Sequence, residues 1–163
     1  MFRRVKAGLH RAEVAGEVYE LHRDPHGKYG HHRQWALHRI TGDEHAALDT
    51  LDSSIGTIAE GKNTLEFILR VEAYLRELGA TKGGFYKWEL QTRLGPLHIS
   101  PYGNRVMMRF GNVDKAKTEL GDRLFNHTGF NRHSGKWNMH WFSDAESAEV
   151  QMLSFKNQLD SVM

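Results

Sequence analysis

The stretch FYKWELQTRLGPLHISPYGNRVMMRF, residues 85–110, decides the fold. Read in steps of two, its first part puts Tyr86, Trp88 and Leu90 on one face of a strand over 85–92. Leu94-Gly95-Pro96 turns the chain into a second strand at 97–100. Pro101-Tyr102-Gly103-Asn104 turns it again into a third at 105–110, where Val106, Met108 and Phe110 share a face. Connections this short join antiparallel neighbours, because a parallel crossover needs a dozen residues or more. One apolar face per strand then requires a cover on that side only.

Toward the C-terminus the cover is supplied by helices. Residues 113–120 read as a short helix opened by Asn112 and closed by Gly121, and 136–142 as a strand with Trp137, Met139 and Trp141 inward. Ser143-Asp144-Ala145-Glu146 is a capping box for a last helix, whose stripe is Ala148, Met152, Phe155, Leu159 and Val162. Toward the N-terminus, 63–78 carries Leu65, Ile68, Val71 or Glu72, Leu75 and Leu78 at helical spacing, with Asn63 as cap and Gly79 as stop. A helical turn is expected at 53–60. Residues 17–22 and 34–40 read as strands around the loop RDPHGKYGHHR, residues 23–33. The expected class is α+β: one antiparallel sheet or two, with helices packed on one face. It is divisible into a ββα lobe at 1–80 and a βββαβα lobe at 85–163 about Gly83-Gly84, unless the two share one core.

At 163 residues the chain has room for one domain or two very small ones. It has no cysteine, which excludes disulfides, cysteine zinc sites and thiol catalysis and fits a reducing, cytoplasmic setting. The first 16 residues lack the apolar core of a secretory signal, and nowhere are 18 consecutive residues apolar, which with a mean hydropathy of −0.60 leaves no expected membrane helix. The net charge of +2 conceals a pattern: residues 1–39 carry +4, 40–80 carry −5, 81–142 carry +6 and 143–163 carry −3. The basic segments are the strand-rich ones and the acidic segments are mostly helical, so a positive sheet face backed by negative helices is expected.

If the apolar positions of the meander face helices, the alternate positions face away. These are Lys87, Glu89 and Gln91, then His98 and Ser100, then Arg105, Met107 and Arg109, then Asn138 and His140. Such a face can be a solvated surface with no function. It can equally bind nucleic acid through Lys87, Arg105, Arg109, Arg123, Arg132, His133, Lys136 and His140, with Tyr102, Phe125, Phe130 and Phe142 available to stack on bases. A third reading is metal-independent RNA cleavage. A carboxylate (Glu89) would take the 2′-hydroxyl proton, a histidine (His98 or His140) protonate the leaving oxygen, and Arg109 stabilise the charged phosphorane. The loop FNHTGFNRHSGKW, residues 125–137, gathers Asn, His, Arg, Ser and Lys around two glycines. It reads as an anion cradle or as a long turn whose polar residues serve its own backbone.

Seven of the eleven histidines fall within the first 45 residues. His22, His26, His31 and His32 have spacings that zinc could use, but no cysteine or helical frame joins them, so exposed loop histidines and no metal are expected. His98-Ile99-Ser100 matches half of the paired His-x-Ser/Thr motif of two-histidine phosphodiesterases, and a second half is missing. The sequence has no P-loop, no dinucleotide-binding fingerprint and no nucleophile elbow, and no cofactor is expected.

Three pieces carry a resemblance: Trp88-Glu89-Leu90 leading to Gly95-Pro96-Leu97-x-Ile99-Ser100-x-Tyr102; Arg109-Phe110-x2-Val113-Asp114-x-Ala116; and Ser134-Gly135-Lys136-Trp137-Asn138-x-His140. Together they resemble a pattern in small proteins of bacteriophages and prophage-bearing bacteria, covering about a third of the chain. The resemblance implies a mobile-element setting inside a host cell and brings no established activity or catalytic residues. The leading expectation is therefore a non-enzymatic accessory protein that binds nucleic acid or a host nucleoprotein complex. Alternatives are the endoribonuclease and an inhibitor of a host protein acting through an acidic helix surface such as Glu66, Glu72 and Glu77.

Overall fold

The computed structural model describes residues 1–23, 34–42, 48–83, 88–103, 105–120, 130–131, 136–140 and 148–163. The chain is α+β and divides into two compact units, Met1–Glu66 and Phe67–Met163. Each holds a five-stranded antiparallel sheet.

The first unit is a meander of β1 (Arg3–Lys6), β2 (Leu9–Val14), β3 (Glu17–Arg23), β4 (Trp35–Ile40) and β5 (Leu48–Ile55), paired in chain order. The two strands expected from alternation are β3 and β4. Ala15 and Gly16 connect β2 to β3 with φ of 52° and 81°, the two left-handed residues that a tight hairpin turn requires. Strand β1 forms the edge and is exposed along its whole length. Of the helical turn expected at 53–60, residues 53–55 belong to strand β5 and 58–60 open the following helix. The pairing of β5 with β4 shifts register on both sides of Leu37, which lies opposite Asp52 while His38 lies opposite Thr50. In the sequence Leu48, Leu51 and Ile55 stand three and four residues apart, a spacing that imitates a helix. At this point the Asp52 carboxylate accepts hydrogen bonds from the Ser54 amide and hydroxyl.

Helix α1 (Ile58–Glu77) begins five residues before the expected start. Thr57 Oγ1 accepts the Glu60 amide at 3.1 Å, and Glu60 Oε2 accepts the amides of Gly56 and Thr57, which makes Thr57-x-x-Glu60 the capping box. Its end follows the sequence. Gly79, at φ 78°, donates to Arg76 and Ala80 donates to Leu75, satisfying the last carbonyls. At Gly61 the helix approaches β3 closely: a Cβ there would lie 2.7 Å from Leu21 Cδ1, and Leu21 is fully buried. Alanine gains about 1 kcal/mol of helix propensity over glycine, whereas overpacking costs about 1–3 kcal/mol. Gly61→Ala is thus expected to destabilise by about 1 kcal/mol in urea unfolding. In a Leu21→Ala background the same change should become stabilising.

The second unit contains β6 (Trp88–Thr92), β7 (Gly95–Tyr102), β8 (Arg105–Phe110), α2 (Val113–Leu120), β9 (Phe130–Asn131), β10 (Lys136–His140) and α3 (Ala148–Asp160), with sheet order β6-β7-β8-β10-β9. Asn112 caps α2 by accepting the Lys115 amide at 2.9 Å. Trp88, Leu90, Leu97, Ile99, Val106, Met108 and Phe110 from the sheet form one buried cluster with Phe67, Val71 and Leu75 of α1, Ala116 of α2, and Met152, Phe155 and Leu159 of α3. The helices therefore cover one face of this sheet, and the period-of-two assignment holds for every described side chain of β6 to β8. Glu72 departs from the expected acidic helix surface. It is 1% exposed, accepts from Trp88 Nε1 at 3.4 Å, and lies 3.8 Å from Arg76, whose guanidinium covers the Trp88 ring. Among the described residues no helix is long and apolar enough to cross a membrane.

Candidate functional site

The face of the second sheet away from the helices carries the candidate residues. Alternation chooses the face, and the hydrogen-bonded register then sets their level along it. Glu89 lies opposite His98, His98 opposite Arg109, Arg109 opposite Lys136, and Lys136 opposite Asn131. These five positions make one row across all five strands. A second row joins Ser100, Met107 and Asn138, and a third joins Tyr102, Arg105 and His140. Adjacent strands are about 4.8 Å apart, so the row positions of His98, Arg109 and Lys136 fall within about 10 Å.

Within the first row, His98 Nδ1 is 3.7 Å from Glu89 Oε2, and both side chains are about two-fifths exposed, at 39% and 42%. Arg109 is exposed. Beside them opens a pocket of about 420 Å³. Its polar lining is His98, Ser100 and Arg109, and its remaining walls are Met107, Met108, Phe110, Gly111 and Val113, where β8 passes into α2. Gly111 makes the closeness of that wall possible. Its amide donates to the Pro96 carbonyl at 2.8 Å, and a Cβ would meet Pro96 Cγ at 2.7 Å. The pocket thus combines a cation, an imidazole and a hydroxyl with thioether and aliphatic surface, the mixture that takes a ligand with one charged and one apolar part.

Of the residues singled out in the sequence, Glu89, His98 and Arg109 come together. Lys136 joins them by register, and Arg105 and His140 share the third row, four residues further along their strands. Lys87, Arg123, Arg132 and His133 lie outside the described residues, as do Phe125 and Phe142 and most of the loop between them. The spacing bears on the catalytic alternative. At about 3.3 Å per residue, His140 stands about 13 Å along the sheet from the Glu89 row, too far for the two to serve one phosphodiester. Glu89 and His98 are close enough to pair with each other, whereas an acid and a base acting on one in-line displacement stand on opposite sides of the phosphorus.

The first unit holds a polar cluster where exposed loop histidines were expected. His22 lies in β3 and His38 in β4, and His38 is fully buried. Glu20 Oε1 accepts from Arg11 Nε at 2.8 Å, while Glu20 Oε2 is 2.7 Å from His22 Nε2. The His22 ring meets the His38 ring edge-on at 5.5 Å, and His38 Nδ1 is 3.1 Å from Thr50 Oγ1. Burial pushes the His38 imidazole down to about 4, helped by the neighbouring His22 and opposed by Glu20 and Asp49. Burial would push the Glu20 carboxyl up, but the hydrogen bonds from His22 and Arg11 outweigh it and hold it below its ordinary value. The signal was present in the sequence: Glu20 and His22 are two apart on one strand, and only the strand pairing adds His38. His26, His31, His32 and His45 lie outside the described residues, and among the described residues no three His, Asp or Glu side chains are grouped to hold a metal ion.

Set against known proteins, the chain matches no family model, no curated protein and no solved structure.

Proposed function

We propose that this chain is an accessory protein of the phage type that binds nucleic acid, alone or within a host nucleoprotein, through the open face of its second sheet. The observation that carries the reading is the row His98–Arg109–Lys136, which lines up two cationic positions and an imidazole across adjacent strands beside a pocket with apolar walls. Spacings of about 5 Å between strands let neighbouring row positions reach successive phosphates of a chain laid across the sheet. The segment charge of +6 over residues 81–142 supports the same reading, since such contacts draw their free energy from release of counterions. Binding is favoured over RNA cleavage by the distance of His140 from the first row and by the mutual pairing of Glu89 and His98.

The test is fluorescence anisotropy with a labelled 12-mer RNA at 50 mM and 200 mM salt. Affinity should fall steeply between the two, with a slope of about 0.7 in log K per phosphate neutralised. Arg109→Glu should weaken binding about tenfold or more and flatten that slope. Binding insensitive to salt and to Arg109→Glu would remove the proposal. Scission of the RNA in EDTA, lost in Glu89→Gln, would replace the proposal with the endoribonuclease.

A further inference from the structure

Resting on that reading, we infer that the site takes unpaired nucleotides and discriminates against duplexes, with the pocket between β7, β8 and the start of α2 receiving one base at a time. Three observations lead there. The first is width. Five strands at about 4.8 Å spacing present a face about 19 Å across, whereas the major groove of a duplex is about 12 Å wide, so this sheet cannot enter a groove face-on.

The second is the cavity. A surface that only neutralised phosphates would need cations and no cavity, yet the exposed Arg109 lines a pocket of about 420 Å³. That volume lies within the range of about 300–1,000 Å³ typical of small-ligand sites and admits a single nucleotide. A base pair held in a stacked duplex has no route into it.

The third is the chemistry of the walls. Met107 and Val113 offer polarizable and aliphatic surface to the face of a base, and Met107 is partly exposed for that contact. Ser100, opposite Met107 in the ladder, offers a hydroxyl that both donates and accepts, and therefore suits the edge of any base. Arg109 and His98, one row away, stand where the attached phosphate would fall. Every base has an apolar face and a polar edge, so this arrangement predicts preference for single strands with little preference for sequence.

The experiment compares three labelled probes on the full chain at 50 mM salt: a single-stranded 12-mer RNA, an abasic 12-mer of equal phosphate content, and the same RNA in a duplex, which carries twice the phosphates and would bind most tightly if charge alone decided. Single-stranded RNA should bind about tenfold more tightly than either of the others. Ser100→Phe, which fills the pocket, should abolish that margin and bring the single strand to the abasic affinity. Met107→Ala, which leaves the fold's buried side untouched, should reduce it several-fold. Equal affinity for all three polymers in the unmodified protein would overturn the base-pocket inference while leaving the basic face standing. Tighter binding of the duplex would overturn it as well. Binding of none of the three would instead overturn the proposed function itself.

Discussion

Replacing Arg39 with alanine should destabilise the first unit by about 3 kcal/mol, the largest effect expected of any single substitution considered for this protein. Arg39 is 3% exposed, one residue from the end of β4, and a buried arginine is held only with partners. Its guanidinium lies 3.5 Å from Glu17 and 3.7 Å from Asp49 and stands 5.5 Å from the centre of the Tyr19 ring. Tyr19 in turn donates to Glu17 at 2.6 Å, and its hydroxyl is pushed up to about 12 by burial and by that carboxylate. Removing the cation leaves two partly buried carboxylates facing a cavity and strips one side of the tyrosine. The loss for a fully buried pair is about 3–5 kcal/mol, and partial exposure of both carboxylates lowers the expectation toward the smaller figure. Arg39→Met keeps most of the volume and should recover roughly a third of the loss, which separates packing from charge. Urea unfolding with hydrogen exchange at the amides of β3 and β4 reads both; a change below about 0.5 kcal/mol for Arg39→Ala would show that the network contributes nothing.

The second large effect is on acidification. His38 has its imidazole depressed to about 4, against about 6.5 in an unfolded chain. Above pH 6.5 both states are neutral at this site and its contribution to stability is complete. Between about 6.5 and 4 the unfolded chain binds a proton that the native chain refuses, so stability falls as pH falls and levels off below 4. The interval corresponds to about 3 kcal/mol at most, and Glu20, held below its ordinary value, adds a loss of the same sign at the acidic end. Urea midpoints measured from pH 7.5 to 4.5 should therefore drop steadily, and His38→Gln should flatten the profile over that range. A profile identical to that of the unmodified protein would mean that His38 accepts its proton in the folded state.

The two units differ in how openly the sequence declares them. In the second, alternation and turn residues agree: Val106, Met108 and Phe110 give the face of β8, Gly103 at φ 58° gives the turn, and Asn112 gives the cap. Their mutual consistency also made Glu89, His98 and Arg109 legible as one face. Their common level was not, because alternation chooses a face and only hydrogen-bonded pairing aligns residues between strands. In the first unit, Arg3–Lys6 and Leu9–Val14 carry charge where a strand signal would be sought; β2 is a strand because β3 offers it a partner, and β1 because β2 does. Strand β5 is masked by the helical spacing of Leu48, Leu51 and Ile55. The Thr57–Glu60 capping box falls inside the helical turn expected at 53–60, and His38 reads as polar until the sheet closes around it.

Strand β1 has a consequence for the behaviour of many copies rather than one. A sheet edge is a template on which another chain can add a strand, and β1, paired on one side only among the described residues, carries Arg3, Arg4 and Lys6 in four residues, all exposed. Two molecules approaching along that edge bring six like charges together, a barrier that acts over about 10 Å at 0.1 M salt and shrinks to about 3 Å at 1 M. The N-terminal edge thus sets a colloidal property: dilute electrolyte keeps copies apart, and concentrated salt removes the protection.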